Sequence, residues 1–219
     1  MAVYTLLIAD ASGSMAELAE DVRGGHNAYL DKLAASDSDE PVYITLAVFN
    51  TQVTIIDNAA PVALATRLDR HNYVPSGMTA LLDAIGNTLA TFRASVTLRP
   101  GDKMFAFIQT DGKENSSKEF SKAAVAAVIA EQEAQGCAFT FSGTGPDGWA
   151  DRESVGLAHA STMNAADSKG ILRSYAGRGD TVISYLGSDQ ATRSTFTSAN
   201  VSVQIQDTID GPEEGDASA

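Results

Sequence analysis

An α/β fold, a mostly parallel sheet with helices on both faces, is what this 219-residue sequence predicts. Two observations carry the prediction. Short, nearly continuous apolar runs, the pattern of strands buried on both sides, punctuate the chain. Between them lie longer stretches whose apolar residues recur at helical spacing. That alternation favours parallel strands joined by helical crossovers. A chain of this size buries roughly 70% of its unfolded surface, so its core needs no disulfide.

Residues 3–9 form the first apolar strand. A helix over 16–35 follows, with Leu18, Val22, Leu30 and Leu33 near one face, and the acidic stretch 36–41 ends it. Residues 42–49 are β-branched and apolar, and 52–56 read as a hairpin partner across a two-residue turn, Asn50-Thr51. Residues 61–69 are ambiguous between loop and short helix, and 71–77 are loop by composition. Leu81, Leu82, Ile85, Leu89 and Phe92 mark the apolar face of a helix over 80–94. Residues 103–109 are the next buried strand, 111–117 a loop, and 118–135 an alanine-rich helix stopped by Gly136. Residues 138–141 make a further strand. Helical patterns at 147–158 and 168–175 flank a short strand candidate at 161–164. Residues 1–186 are assigned to one domain and 187–219 to a C-terminal extension. In that extension Val201, Val203 and Ile205 alternate like an edge strand, and 210–219 read as a disordered acidic tail.

Composition excludes some functions. A net charge of −13 with only 15 basic residues is the wrong balance for gripping a phosphate backbone, so no nucleic-acid partner is expected. Cys137 is alone and cannot form an intramolecular bridge; its apolar surroundings read as a buried strand residue. The apolar run at 3–9 is too short for a signal sequence or a membrane span, and no later run is long enough to cross a bilayer. A soluble, cytoplasmic protein with no membrane partner is expected, although the Thr-, Ser- and Asn-rich surface fits a virion component equally.

The chemistry lies at strand ends. Asp10, Ser12 and Ser14 occupy alternate positions in the loop after the first strand, Thr79 precedes a helix, and Asp111 follows another strand. In an open parallel sheet, ligands bind at the carboxyl ends of the strands, where strand order reverses. Two carboxylates and three hydroxyls are hard oxygen donors, suited to Mg²⁺, Mn²⁺ or Ca²⁺ and poorly suited to zinc or copper. The carboxylates formally neutralise a divalent ion, and the hydroxyls add no charge. Mg²⁺ parts reluctantly with its waters, so such a site keeps an open position that a carboxylate from another molecule can enter. Hydrolysis would also need a general base. His26, His71 and His159 all lie outside these loops. A strand-to-helix turn capped by Asp or Ser would explain one loop alone, but not five oxygen donors at successive strand ends and helix starts.

The segments Ile8-Ala9-Asp10-Ala11-Ser12-Gly13-Ser14-Met15, Ser76-Gly77-Met78-Thr79-Ala80-Leu81-Leu82 and Thr110-Asp111-Gly112-Lys113-Glu114-Asn115 resemble the metal-ion-dependent adhesion site of stand-alone bacterial von Willebrand factor A domains. The resemblance spans residues 3–186. It implies a doubly wound, Rossmann-like sheet of six strands with one antiparallel edge strand. It also implies coordination by Ser12, Ser14 and Thr79, with Asp10 and Asp111 reaching the ion directly or through water. Similar domains grip a Glu or Asp of a protein partner through the metal, and some shift their last helix on binding. In bacteria and phages they often serve as adaptors beside MoxR-type AAA+ ATPases in assembling or remodelling complexes. The chain departs from the pattern at Ala11, where relatives carry a larger residue, and keeps only a loose likeness over 142–149.

Asp83 could stand near the metal or be a solvated group, Glu114 and Asn115 could contact a ligand at the rim, with helix capping an equal account of Asn115, and Trp149 fits either packing or a partner contact. Two other functions compete. A metal-dependent phosphatase with Asp10 as nucleophile would want a second Asp where Ser12 stands. A structural or virion component would make contacts through the 201–205 strand and the tail, since an exposed edge can pair with another chain.

Overall fold

The computed structural model describes residues 1–111, 113–143 and 168–210. Strand β1 (Val3–Asp10) leads through a 3-10 turn (Gly13–Leu18) into helix α1 (Ala19–Ala34). The hairpin β2 (Val42–Phe49) and β3 (Val53–Pro61) follows, then α2 (Leu81–Ser95), β4 (Lys103–Thr110), α3 (Lys122–Ala134) and β5 (Ala138–Gly143). Helices α4 (Ser168–Gly187), α5 (Gln190–Arg193) and α6 (Ser198–Ile209) complete the described chain.

The sheet order is β3-β2-β1-β4-β5. Strand β1 is central and parallel to both β2 and β4, β5 is parallel to β4, and β3 alone is antiparallel. Chain order reverses between β1 and β4. Val3 lies opposite both Val42 and Lys103, so the three strands start level and end level, which sets Asp10, Phe49 and Thr110 along one rim.

The period of two along each strand feeds two cores. Leu6, Ile8, Met104, Ala106, Ile108, Phe139 and Phe141 face α2 and α3, meeting Leu81, Ile85, Leu89, Phe92, Val125 and Ile129. Val3, Leu7, Phe105 and Phe107 face the opposite way, against Val22, Tyr29 and Leu33 of α1, Tyr175 and Val182 of α4, and Val201 and Ile205 of α6. Among the described residues, no helix is long and apolar enough to cross a membrane.

Three expectations are corrected. The described sheet has five strands, not six. Along β5, the Phe139 N–H is taken at 2.9 Å by Ser198 Oγ at the start of α6. The expected 201–205 edge strand lies within α6. Val201 and Ile205 satisfy both a two-residue and a four-residue repeat, but Ser198, Ser202 and Ile209 are buried with them while Val203 is 59% exposed. The helical stripe wins, and Thr197 Oγ1 caps it by accepting the Asn200 N–H. The hairpin turn takes three residues, 50–52, because Asn50 Oδ1 accepts the Gln52 N–H at 3.0 Å. Gly136 stops α3 with a φ of 87°, as the sequence predicts. Helix 147–158, strand 161–164, Trp149, His159 and residues 211–219 fall outside the described residues.

Candidate metal centre

Three loops meet at the carboxyl rim of β1 and β4, and backbone hydrogen bonds lock them. Ala11 N–H donates to Phe49 O at 2.6 Å, Ser76 N–H to Ala11 O at 2.8 Å, and Gly13 N–H to Gly77 O at 3.2 Å. The second loop bends at Gly77, whose φ of 73° and 2.6 Å approach of a built Cβ to Thr51 Oγ1 admit only glycine. Thr51 Oγ1 in turn accepts the Met78 N–H. The third loop joins through a reciprocal pair: Thr79 N–H donates to Asn115 Oδ1 at 2.9 Å, and Asn115 N–H to Thr79 O at 3.0 Å.

The anticipated oxygen donors gather there. Asp10 is fully buried; its Oδ1 accepts the Ser12 N–H at 2.6 Å and its Oδ2 accepts the Thr110 hydroxyl. Ser12 Oγ and Ser14 Oγ lie 3.2 Å apart, and Ser14 Oγ donates to Asp111 Oδ1 at 2.6 Å. Thus Asp10, Ser12, Ser14 and Asp111 form one hydrogen-bonded chain. Thr79 is buried in the loop clamped against Gly13 and Asn115, and among the described residues its hydroxyl makes no hydrogen bond to that chain.

Electrostatics show what the cluster wants. Burial pushes the Asp10 carboxyl up to about 6, with the charge of Asp111 adding to it against the hydrogen bonds from Thr110 and Ser12. Burial also raises Asp111. Among the described residues no Lys, Arg or His pairs with either carboxylate. Concentrated, partly desolvated negative charge without a counter-charge is costly, and a cation relieves it. No group of three His, Cys, Asp or Glu side chains suited to a metal occurs among the described residues, so this donor set is carboxylate and hydroxyl oxygen. The residues fit a hard divalent ion.

Other residues hold the frame. Asp83 accepts the Lys118, Glu119 and Phe120 N–H groups at 2.8–2.9 Å. Glu114 accepts from Ser116 N, Ser117 N, Ser117 Oγ and Leu82 N at 2.7–3.0 Å. Both carboxylates therefore tie the third loop to the start of α2. Tyr73 also escaped the sequence reading: its buried phenol donates to the Asp10 carbonyl, and burial holds its pKa far above the usual value. An aromatic residue inside a polar loop was the available signal. His26 is buried with Nε2 at 3.0 Å from Thr66 O, and His71 is exposed. Neither is hydrogen-bonded to the cluster.

The pilus adhesin SpaC from Lactobacillus rhamnosus GG superposes with a TM-score of 0.62 over 83% of this chain and 30% of its own, at 13% identity. A von Willebrand factor type A structure from Catenulispora acidiphila gives a TM-score of 0.60 over 83% and 42%, at 14% identity. The chain has the von Willebrand factor A fold. Proximal thread matrix protein 1 from mussel byssus, solved with a zinc-occupied MIDAS motif, shares this A fold at a TM-score of 0.53, with 16% identity over 70% of this chain and 39% of its own. This A-fold chain spans less than half the length of each of the three. No protein-family profile and no curated protein sequence matches it.

Proposed function

We propose that this A-fold chain is a metal-dependent protein-binding module in which Asp10, Ser12, Ser14, Thr79 and Asp111 hold one divalent cation. Mg²⁺ is the expected ion, with Mn²⁺ or Ca²⁺ as substitutes, and the partner supplies a Glu or Asp carboxylate. The observation that carries the reading is the chain of Asp10, Ser12, Ser14 and Asp111 at the rim, with both carboxylates raised and, among the described residues, neither paired to a cationic side chain. A bound cation would supply an electrophilic centre for that incoming carboxylate. The protein's part is orientation. Thr110 and Ser12 fix the Asp10 carboxylate, Ser14 holds Asp111 while its oxygen retains lone pairs, and the Gly13–Gly77 bond keeps Thr79's loop in register.

A zinc-occupied MIDAS in the mussel protein and the adhesin character of SpaC support a divalent-cation, protein-binding reading. The same reading makes the module a binding rather than a catalytic one, as the adhesin and matrix-protein neighbours support. An adaptor role in the cytoplasm, beside a MoxR-type AAA+ ATPase, completes the proposal and rests on the family resemblance. Titration calorimetry with Mg²⁺ and Mn²⁺ tests the core of it. Wild type should bind one ion and the double variant Asp10→Ala, Asp111→Ala none. Absence of binding by folded wild type, or equal binding by the variant, would overturn the proposal.

A further inference from the structure

Val74 and Met78 are 56% and 51% exposed, on the loop that carries Thr79. They are not loose ends. Tyr73 beside Val74 is completely buried, and Met78 sits between Gly77, locked to Gly13 and packed on Thr51, and the buried Thr79. The Met78 N–H is itself held by Thr51 Oγ1 at 2.9 Å. Hydrogen bonds from Ser76 to Ala11 and from the Asn50 amide to Ser76 Oγ fix the stretch between them. Two apolar side chains are thus held in water by a rigid backbone beside the candidate centre. Leu64, also exposed, follows β3 at the opposite end of the sheet. Preorganised apolar groups lose little freedom on being covered, and a thioether adapts to varied shapes. The chain's charge of −13 repels acidic segments at long range, so encounter favours a ligand whose other residues are basic.

We propose that the partner segment presents its acidic residue next to an apolar side chain, which packs on Val74 and Met78, within an otherwise basic stretch. The inference rests on the metal-bridged reading and specifies its ligand. The test is selection of a phage-displayed random peptide library on the whole chain with Mg²⁺, eluting with chelator, in parallel on wild type and on Val74→Ser, Met78→Ser. Calorimetry with Mg²⁺ and circular dichroism confirm that the variant keeps its metal site and fold; Met78→Gln alone replaces it if it does not. Wild type should return peptides with Asp or Glu adjacent to Leu, Ile, Met or Phe and enriched in Lys and Arg. The variant should keep the acidic requirement, lose the apolar preference, and bind the wild-type consensus about tenfold more weakly. Acidic peptides without an apolar neighbour, or an apolar preference that survives in the variant, would overturn this inference and leave the metal reading standing. Recovery of no chelator-eluted peptide, or of peptides without an acidic residue, would overturn the metal reading as well.

Discussion

The two faces of the sheet solve the burial problem differently. Beneath α2 and α3, β4 and β5 present Met104, Ala106, Ile108, Phe139 and Phe141, all apolar. Beneath α1, α4 and α6 the same strands present Phe105 and Phe107 but also Gln109, Thr140 and Ser142, all buried. Arg178 of α4, itself 1% exposed, reaches down to them. Its Nη2 donates to Ser142 Oγ at 2.7 Å and its Nη1 to Gln109 Oε1 at 3.4 Å, while its guanidinium lies 4.5 Å from the Tyr175 ring centre. Burial pulls the Arg178 pKa below its ordinary value, and among the described residues its Nε has no hydrogen-bond partner. The first face holds the fold by removing apolar area from water. The second orients α4 through directional contacts whose desolvation cancels much of what they return.

Truncation at the apolar face should do the most damage. Phe139→Ala is expected to cost about 3–5 kcal/mol in urea unfolding, because it opens a cavity among packed neighbours. A loss below about 1 kcal/mol would mean that this face is not the principal core.

The polar face should show itself through pH. His26 packs edge-on to Tyr175, and burial, acting against its contact with Thr66 O, lowers its pKa from 6.5 to about 4. A depressed histidine is neutral in the fold, so its contribution is complete above pH 6.5 and is lost as pH falls from 6.5 towards 4. The drop amounts to about 3 kcal/mol. Asp10 runs the other way: its raised pKa lets metal-free stability rise as pH falls from 6 towards 3.8. The difference between wild type and His26→Gln cancels that opposing part. It should narrow by about 3 kcal/mol across this window in chelator-treated protein, and a flat difference would refute the assignment.

The smallest effect separates the faces most sharply. Arg178→Met preserves packing and removes an uncompensated charge, so its cost should stay under about 1 kcal/mol, well below that of Phe139→Ala. A loss of 3 kcal/mol or more on denaturant unfolding would show that the Arg178 contacts carry stability as well as orientation.

Much of the site was legible because its elements are local. An apolar run that stops at Asp10, followed by Ser12 and Ser14, announces a strand end and its donors within ten residues, and the same holds for Asp111. The partners of those donors were not legible. Asp83 admitted a place near the metal or a solvated one and Glu114 a contact with a ligand, whereas both tie the third loop to α2, which depends on that loop folding back over the helix. Tyr73 and Thr110 reach Asp10 only because β1, β4 and the loop before Thr79 converge.

By itself, the sequence determined the alternation of buried strands and helices, the strand ends that carry oxygen donors, and the acidic balance of charge. Each is a property of local periodicity or of summed charge. The tertiary structure decided the rest. Residues 201–205 satisfy two periodicities at once, and only packing against α4 and β5 makes them helix. A carboxylate's charge state depends on what covers it, so the raised pKa of Asp10 exists only once three distant loops have closed around it.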